Sequence, residues 1–292
     1  MSLSAHTPET LRARAEGAAA GLPPLLLEAE RLAATVLLGE HGRRRAGPGE
    51  TFWQYRPAQT GDARRAIDWR ASARGEAQFV RESEWQAAQT LMLWVDDAAS
   101  MRFAGEGRPT KLRRAQTLAL ALASLATRAG ERAGLAQLPE PPRGGRAQLI
   151  RIADALLEGG DAPDYGAVRP RIMPMGARAV FASDFLGPLD AVRRALTSAA
   201  DRSVRGVLLQ VLDPEEEAFP YDGRTVFESM AGTLSFETLK AGRLRDDYLA
   251  RLAARRAELR DLARRTGWTL ITHHTDRPAS TALLPLWTRL AR

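Results

Sequence analysis

The sequence predicts an α/β protein: a mostly parallel sheet with helices on both faces, plus a small β-rich N-terminal module. Three observations predict it. From residue 90 onward, short apolar runs alternate with amphipathic stretches, as expected for strands buried on both faces of a parallel sheet. Three of those runs end in an aspartate, at Asp96, Asp184 and Asp213. Residues 50–85 read differently, as short strands around a Gly61-Asp62 turn. The chain accordingly divides into N-terminal helices over 1–40, a β-rich module over 41–88 and an α/β domain over 89–292.

Two helices open the chain. The second runs from about Pro23 to Leu38, with Pro at its first turn, Gly39 past its end, and Leu26, Ala29, Ala33 and Val36 at helical spacing. His41 to Gly49 is a basic, glycine-rich loop. Thr51–Tyr55 and Gln78–Ser83 are strands. In the α/β domain, strands are expected at 91–95, 134–138, 179–183, 204–212 and 268–272. The intervening helices fall at 112–128, 147–157, 189–200, 237–265 and 281–290. A hairpin is expected around Tyr221–Phe227.

With 292 residues, 45% apolar and 26% charged, the chain can bury a full core and is no disordered tail. It has no cysteine, which excludes a disulfide framework, thiolate metal sites and cysteine nucleophiles. The net charge is +7, from 42 basic and 35 acidic residues, and only Lys111 and Lys240 are lysines. The arginines are dispersed, which favours solvated helix faces and internal ion pairs over one acidic partner. The most apolar early stretch, Leu22–Leu38, carries Glu28, Glu30 and Arg31, too many charges for a membrane span. The first residues lack the basic-then-apolar order of a secretion signal, so a cytoplasmic location is expected.

Ligands of open α/β sheets bind beyond the carboxyl ends of the strands. If their strands are neighbours, Asp96, Asp184 and Asp213 converge there, with Asp97 beside them. Clustered carboxylates repel, so they need a cation or a basic side chain. Asp96-Asp97-Ala98-Ala99-Ser100 resembles the Asp-x-Ser-x-Ser loop of von Willebrand factor A domains, whose acid and hydroxyls surround a divalent cation. The resemblance implies a candidate metal set of Asp96, Ser100 and Asp184, with Mg²⁺ as its ion. It is degenerate, because Ala98 stands where the first hydroxyl would be and no Thr lies between Gly159 and Gly176. The alternative is that Asp96 and Asp184 cap helices or pair with arginine.

A longer match lies upstream. Arg56-Pro-Ala-Gln-Thr-Gly61-Asp62, Arg65-Ala-Ile-Asp68-Trp69 and Ser72-Ala-Arg74 resemble the signature of the bacterial "domain of unknown function 58" family. The likeness continues through Asp96–Met101, Ser183–Phe185 and Leu212–Glu216. It implies a von Willebrand A-like fold and work alongside MoxR-type AAA+ ATPases in assembling or activating other proteins. Read from the residues, Asp68 pairs with Arg74 or Arg56, and Trp69 packs beside them. The functional alternative is a docking surface, for which Trp and Arg are favoured.

Enzyme signatures are missing. Ala98 occupies the second-aspartate position of a haloacid-dehalogenase-type site, no P-loop spacing surrounds Lys111, and there is no Gly-x-Ser-x-Gly elbow. His273 and His274 are adjacent, so on a strand they point apart. The expectation is a non-enzymatic interaction scaffold. A nucleic-acid binder using the Arg-rich helix at 237–265 is the alternative, though that helix lacks aromatic platforms and interleaves Asp246, Asp247, Glu258 and Asp261 with its arginines.

Overall fold

A computed structural model describes residues 23–36, 44–47, 51–59, 67–73, 78–86, 89–158, 162–170, 173–228 and 235–291. The first of the two opening helices lies outside these residues, as do Gly61, Asp62, Arg65 and Arg74 and the side chain of Arg56. Two compact units form, one from residues 39–89 and one from residues 1–38 together with 90–292.

Helix α1 (Pro24–Ala34) starts on its proline and buries Leu25, Leu26, Ala29 and Ala33, one stripe at the helical period. Helix α1 belongs to the larger unit, where it packs on the later helix α3.

The smaller unit is a three-stranded antiparallel sheet in the order β1-β3-β2, from β1 (Arg44–Gly47), β2 (Thr51–Pro57) and β3 (Phe79–Gln86). Strand β1 corrects the expected loop, since Arg44–Gly47 pairs with Ser83–Gln86. Backbone ladder bonds do not depend on side-chain type, so a basic, glycine-bearing stretch can join an open strand edge. One helical turn, α2 (Trp69–Ser72), sits between β2 and β3.

The larger unit holds β4 (Thr90–Val95), α3 (Lys111–Arg128), β5 (Arg132–Leu135), α4 (Arg146–Leu157), β6 (Arg178–Ser183), α5 (Asp190–Asp201), β7 (Arg205–Leu212), α6 (Pro214–Ala218), β8 (Thr225–Glu228), β9 (Ser235–Thr238), α7 (Arg245–Arg265), β10 (Thr269–His274) and α8 (Ser280–Ala291). Strands β5-β4-β6-β7-β10 make one sheet in that order, and all four pairings are parallel. Side chains alternate faces along a strand. Leu91, Leu93 and Val95 thus face α1, α3, α4 and α8, while Met92 and Trp94 face α5 and α7. Burial on both faces is why the central strands β4 and β6 read as nearly unbroken apolar runs. The α/β class with helices on both faces is the observed one.

The long helix starts eight residues later than expected, at Arg245. Glu237 and Thr238 pair instead with Val226 and Thr225 in the β8–β9 hairpin. A 3-10 turn over Ala241–Leu244 precedes the helix. Helix propensity at 237–240 is overridden by the hairpin ladder. Among the described residues no helix is long and apolar enough to cross a membrane.

Candidate functional site at the carboxyl edge of the sheet

The sheet order reverses direction between β4 and β6, and the crevice at such a switch point is where ligands bind. Asp96 and Asp184 follow those two strands, and Asp213 follows β7 next door. The three acids therefore meet at one edge, as the sequence suggested. Asp97 does not join them. It follows Asp96 with its side chain in solvent.

Asp96 is buried. Its Oδ1 accepts from the Ala98 N–H at 2.9 Å and its Oδ2 from Ser183 Oγ at 2.6 Å. Gly166 lies so close that a Cβ there would sit 2.0 Å from Oδ1. The same loop is tied down by Ala99 and Ser100, whose N–H groups donate to the carbonyls of Pro163 and Asp164 at 2.9 Å. Burial lifts the Asp96 pKa to about 6 against the pull of its two hydrogen bonds, and the charges of Asp184 and Asp97 add to the rise.

Asp184 is met by a lysine, not an arginine. Lys111, fully buried at the first turn of α3, donates to Asp184 Oδ2 at 2.8 Å and to Glu216 Oε1 at 2.5 Å. Burial disfavours the charged ammonium, yet the two carboxylates outweigh that and raise its pKa. Glu216 is itself pushed up by burial, against the pull of Lys111. Its second oxygen accepts from the Asp213 N–H at 2.8 Å, half of a capping box on α6.

Asp213 has the most donors. Arg108 binds it through two nitrogens at 2.9 and 3.0 Å, Thr275 Oγ1 donates at 2.6 Å, and the N–H groups of Gly105 and Glu215 at 3.1 and 3.0 Å. Arg108 also reaches Glu215 at 2.5 Å. Burial alone would raise the Asp213 pKa, but Arg108, Thr275 and the backbone donors hold it down to about 2. A depressed folded pKa means stability that is present above the unfolded value near 4 and is lost as pH falls toward 2. Asp213 should therefore contribute about 2 kcal/mol at neutral pH. Urea unfolding of wild type and Asp213→Asn should differ most above about pH 5 and converge only as pH falls below about 2. A constant difference would contradict this assignment.

Two of the three candidate metal residues are already engaged, Asp96 by Ala98 and Ser183 and Asp184 by Lys111. Ser100 Oγ is buried and makes no hydrogen bond to Asp96 or any other described residue. Ala98 brings no donor, and the outer oxygen of Asp184 is held by an ammonium. Among the described residues no three His, Asp or Glu side chains are grouped to hold a metal ion. The donor set does not fit Mg²⁺, because Ala98 supplies no ligand where the loop needs a hydroxyl and Lys111 already binds Asp184.

In the smaller unit, Asp68 Oδ1 accepts from the Arg70 N–H at 3.0 Å and so caps the α2 turn. Ser72 Oγ donates to the Asp68 carbonyl at 2.7 Å and accepts from the Phe79 N–H at 2.8 Å, tying the turn to β3. Trp69 is not packed as expected. It is 55% exposed, because a single turn offers one buried face and Ser72 takes it. On α7, Arg264 and Arg265 bind Asp261, and Arg256 contacts Glu217. His273 and His274 diverge as expected. His273 Nε2 lies 3.1 Å from Arg114, and His274 Nε2 lies 3.0 Å from Glu217.

Sequence reasoning missed Lys111, Arg108, Glu216 and Thr275. Two signals were present. Lysine is the exception in this arginine-rich chain, and a compact ammonium with three rotatable donors can serve two carboxylates at once. Asp213-Pro-Glu-Glu216 also has capping-box spacing directly after a strand.

The chain matches the family described as "Protein of unknown function DUF58" over residues 54–258. It is 30% identical over 301 residues to the uncharacterized protein Rv1480 of Mycobacterium tuberculosis, spanning 93% of this chain and 90% of that one. It is 33% identical over 143 residues to the uncharacterized protein MAV169 of Mycobacterium avium, spanning 49% and 76%. Among solved structures it aligns with the conserved hypothetical protein BatB from Bacteroides thetaiotaomicron at 14% identity and a TM-score of 0.41, covering 70% of this chain and 99% of that one.

Proposed function

Because the chain belongs to the DUF58 family, we propose that it is a non-enzymatic interaction module that works in the cytoplasm with a MoxR-type AAA+ ATPase in assembling or activating client proteins. One observation carries this reading. The crevice where an α/β sheet normally holds its ligand is filled by the protein's own ion pairs, Lys111 with Asp184 and Glu216, and Arg108 with Asp213 and Glu215. A catalytic centre keeps a nucleophile or base open to substrate. Here the acids of the rim are spent on holding loops and helix starts together, which leaves the outer surface for recognition.

The test is binding of this chain to the purified MoxR-type ATPase of the same genome, by biolayer interferometry with and without EDTA. Saturable binding that EDTA leaves unchanged is expected. No binding would overturn the partnership, and binding abolished by EDTA would overturn the metal-free rim. The paired arginines of α7 argue against the nucleic-acid reading. Tight, steeply salt-dependent binding of duplex DNA in place of the ATPase would restore it.

A further inference from the structure

A strand at the end of a sheet carries main-chain N–H and C=O groups that another extended chain can pair. Proteins blunt such edges with charge, proline, a bulge, short length or a covering segment. Among the described strands the edges are blunted in these ways, with one exception. Strand β1 has four residues and begins with Arg44 and Arg45. Strand β2 breaks register between Phe52 and Gln54 and ends on Pro57. The hairpin strands β8 and β9 have four residues each and carry Glu228 and Glu237. At the β5 end of the main sheet the chain turns back on itself. There Arg143 and Ala133 exchange N–H to carbonyl bonds at 3.0 and 2.9 Å, and Pro142 lies against Gly134, where a Cβ would come 3.1 Å from it.

Strand β10 ends the same sheet on the other side and has none of these devices. Its six residues, Thr-Leu-Ile-Thr-His-His, include no Lys, Arg, Asp, Glu, Pro or Gly. They keep an unbroken register with β7 from Thr269 to His274. Helices α8 and α7 cover its two faces, yet every residue but His273 stays partly exposed, whereas those of β6 are all buried. The Thr275 N–H donates to the Leu212 carbonyl at 3.0 Å. Main-chain groups alternate sides along a strand, so those of Ile271 and His273 face β7, and those of Leu270, Thr272 and His274 face outward. The His274 carbonyl is taken by the Arg277 N–H at 3.1 Å. The N–H and C=O groups of Leu270 and Thr272 have no partner among the described residues.

We infer that β10 pairs edge to edge with β10 of a second copy of this chain, antiparallel about a two-fold axis, so that one sheet runs through both molecules. The free groups fix the register. Leu270 of each copy meets Thr272 of the other, which satisfies all of them, and Ile271 meets its own copy on the axis. The side chains suit self-pairing. Like charges placed opposite each other would oppose it, and this strand has none. Burial lowers the pKa of both histidines, that of His273 to about 4, so they are neutral at pH 7. An acidic or basic foreign strand finds no complementary charge here, whereas an identical strand needs none. The carboxyl ends of the two sheets then point in opposite directions, and the dimer offers two ion-paired rims to a partner. The inference does not rest on the ATPase partnership.

The test is sedimentation equilibrium of the full chain from about 1 to about 200 μM, which brackets a weak association. The mass should climb toward that of two chains. Thr272→Pro should hold it at one chain throughout, because the ring removes an outward N–H and none that β7 uses. Thr272→Ala, which equally loses the hydroxyl bond to Gln210, should still dimerise. The chain has no cysteine, so Ile271→Cys gives an independent reading. Directly opposed residues of a non-hydrogen-bonded antiparallel pair lie about 4.5 Å apart, within disulfide reach. Mild oxidation should therefore cross-link Ile271→Cys into a dimer and leave Ser198→Cys, exposed on α5, a monomer. A monomer at every concentration, a folded Thr272→Pro that still dimerises, or equal cross-linking at the two cysteine positions would overturn the inference. So would Leu270 and Thr272 amides that resist hydrogen exchange only when the ATPase is added, which would give this edge to the ATPase. An intact dimer that fails to bind the ATPase counts against the ATPase partnership alone.

Discussion

Replacing Lys111 with methionine should destabilise the protein by about 3–5 kcal/mol, the cost of stranding buried charge by removing one partner. Methionine fills much the same volume, so the loss is electrostatic and not a cavity. Asp184 would retain the Leu186 N–H and Glu216 the Asp213 N–H, but the cation between them would be gone. Glu216, already pushed up by burial, would then be pushed further toward its neutral form. A group whose folded pKa is raised favours folding at low pH and opposes it as pH rises past the unfolded value near 4. The deficit of Lys111→Met should therefore widen between about pH 4 and pH 7, read as the shift in urea midpoint by circular dichroism. The triple variant Lys111→Met, Asp184→Asn, Glu216→Gln should recover much of the loss, because it removes the uncompensated charges together. A deficit that ignored pH, or a triple variant no better than the single one, would mean that Lys111 acts by packing alone.

Asp96→Asn should do the opposite and stabilise the protein at neutral pH, by about 1–3 kcal/mol. Burial holds the Asp96 pKa at about 6. Above that pH the folded state must carry a charge it disfavours, so the penalty is absent below about pH 4 and complete above about pH 6. Asparagine has no such titration. Its carbonyl can keep the Ala98 N–H, and its amide can donate to Ser183 Oγ, which already accepts from the Phe185 N–H at 2.9 Å. Thermal unfolding at about pH 7.5 should show the gain, and at about pH 4.5 the variant and wild type should lie close together. A loss of stability at pH 7.5 would mean that the Asp96 charge is compensated at this edge. That would revive the case for a divalent cation beside it, to be measured directly with Mg²⁺ by calorimetry.

What was legible in the residues alone follows from periodicity. A strand buried on both faces is apolar at nearly every position, so Leu91–Val95, Ala179–Ala182 and Val207–Leu212, broken only by the hydrogen-bonded Gln210, announce themselves, and so does the aspartate where each run stops. Because consecutive strands with helical crossovers run parallel, those aspartates had to share one edge. Sequence could not say what neutralises them. Lys111 is 73 residues from Asp184, and Arg108 is 105 from Asp213, and no local rule couples positions that far apart. Only the closing of the sheet, with the start of α3 laid across the ends of β6 and β7, brings a lysine into reach of two carboxylates. The same holds for Glu237 and Thr238, helix-compatible by pattern but drawn into a hairpin by their partners. Local period is written in the chain because it needs only neighbours along it. Charge compensation was decided in three dimensions, because buried ions choose their partners by proximity through space.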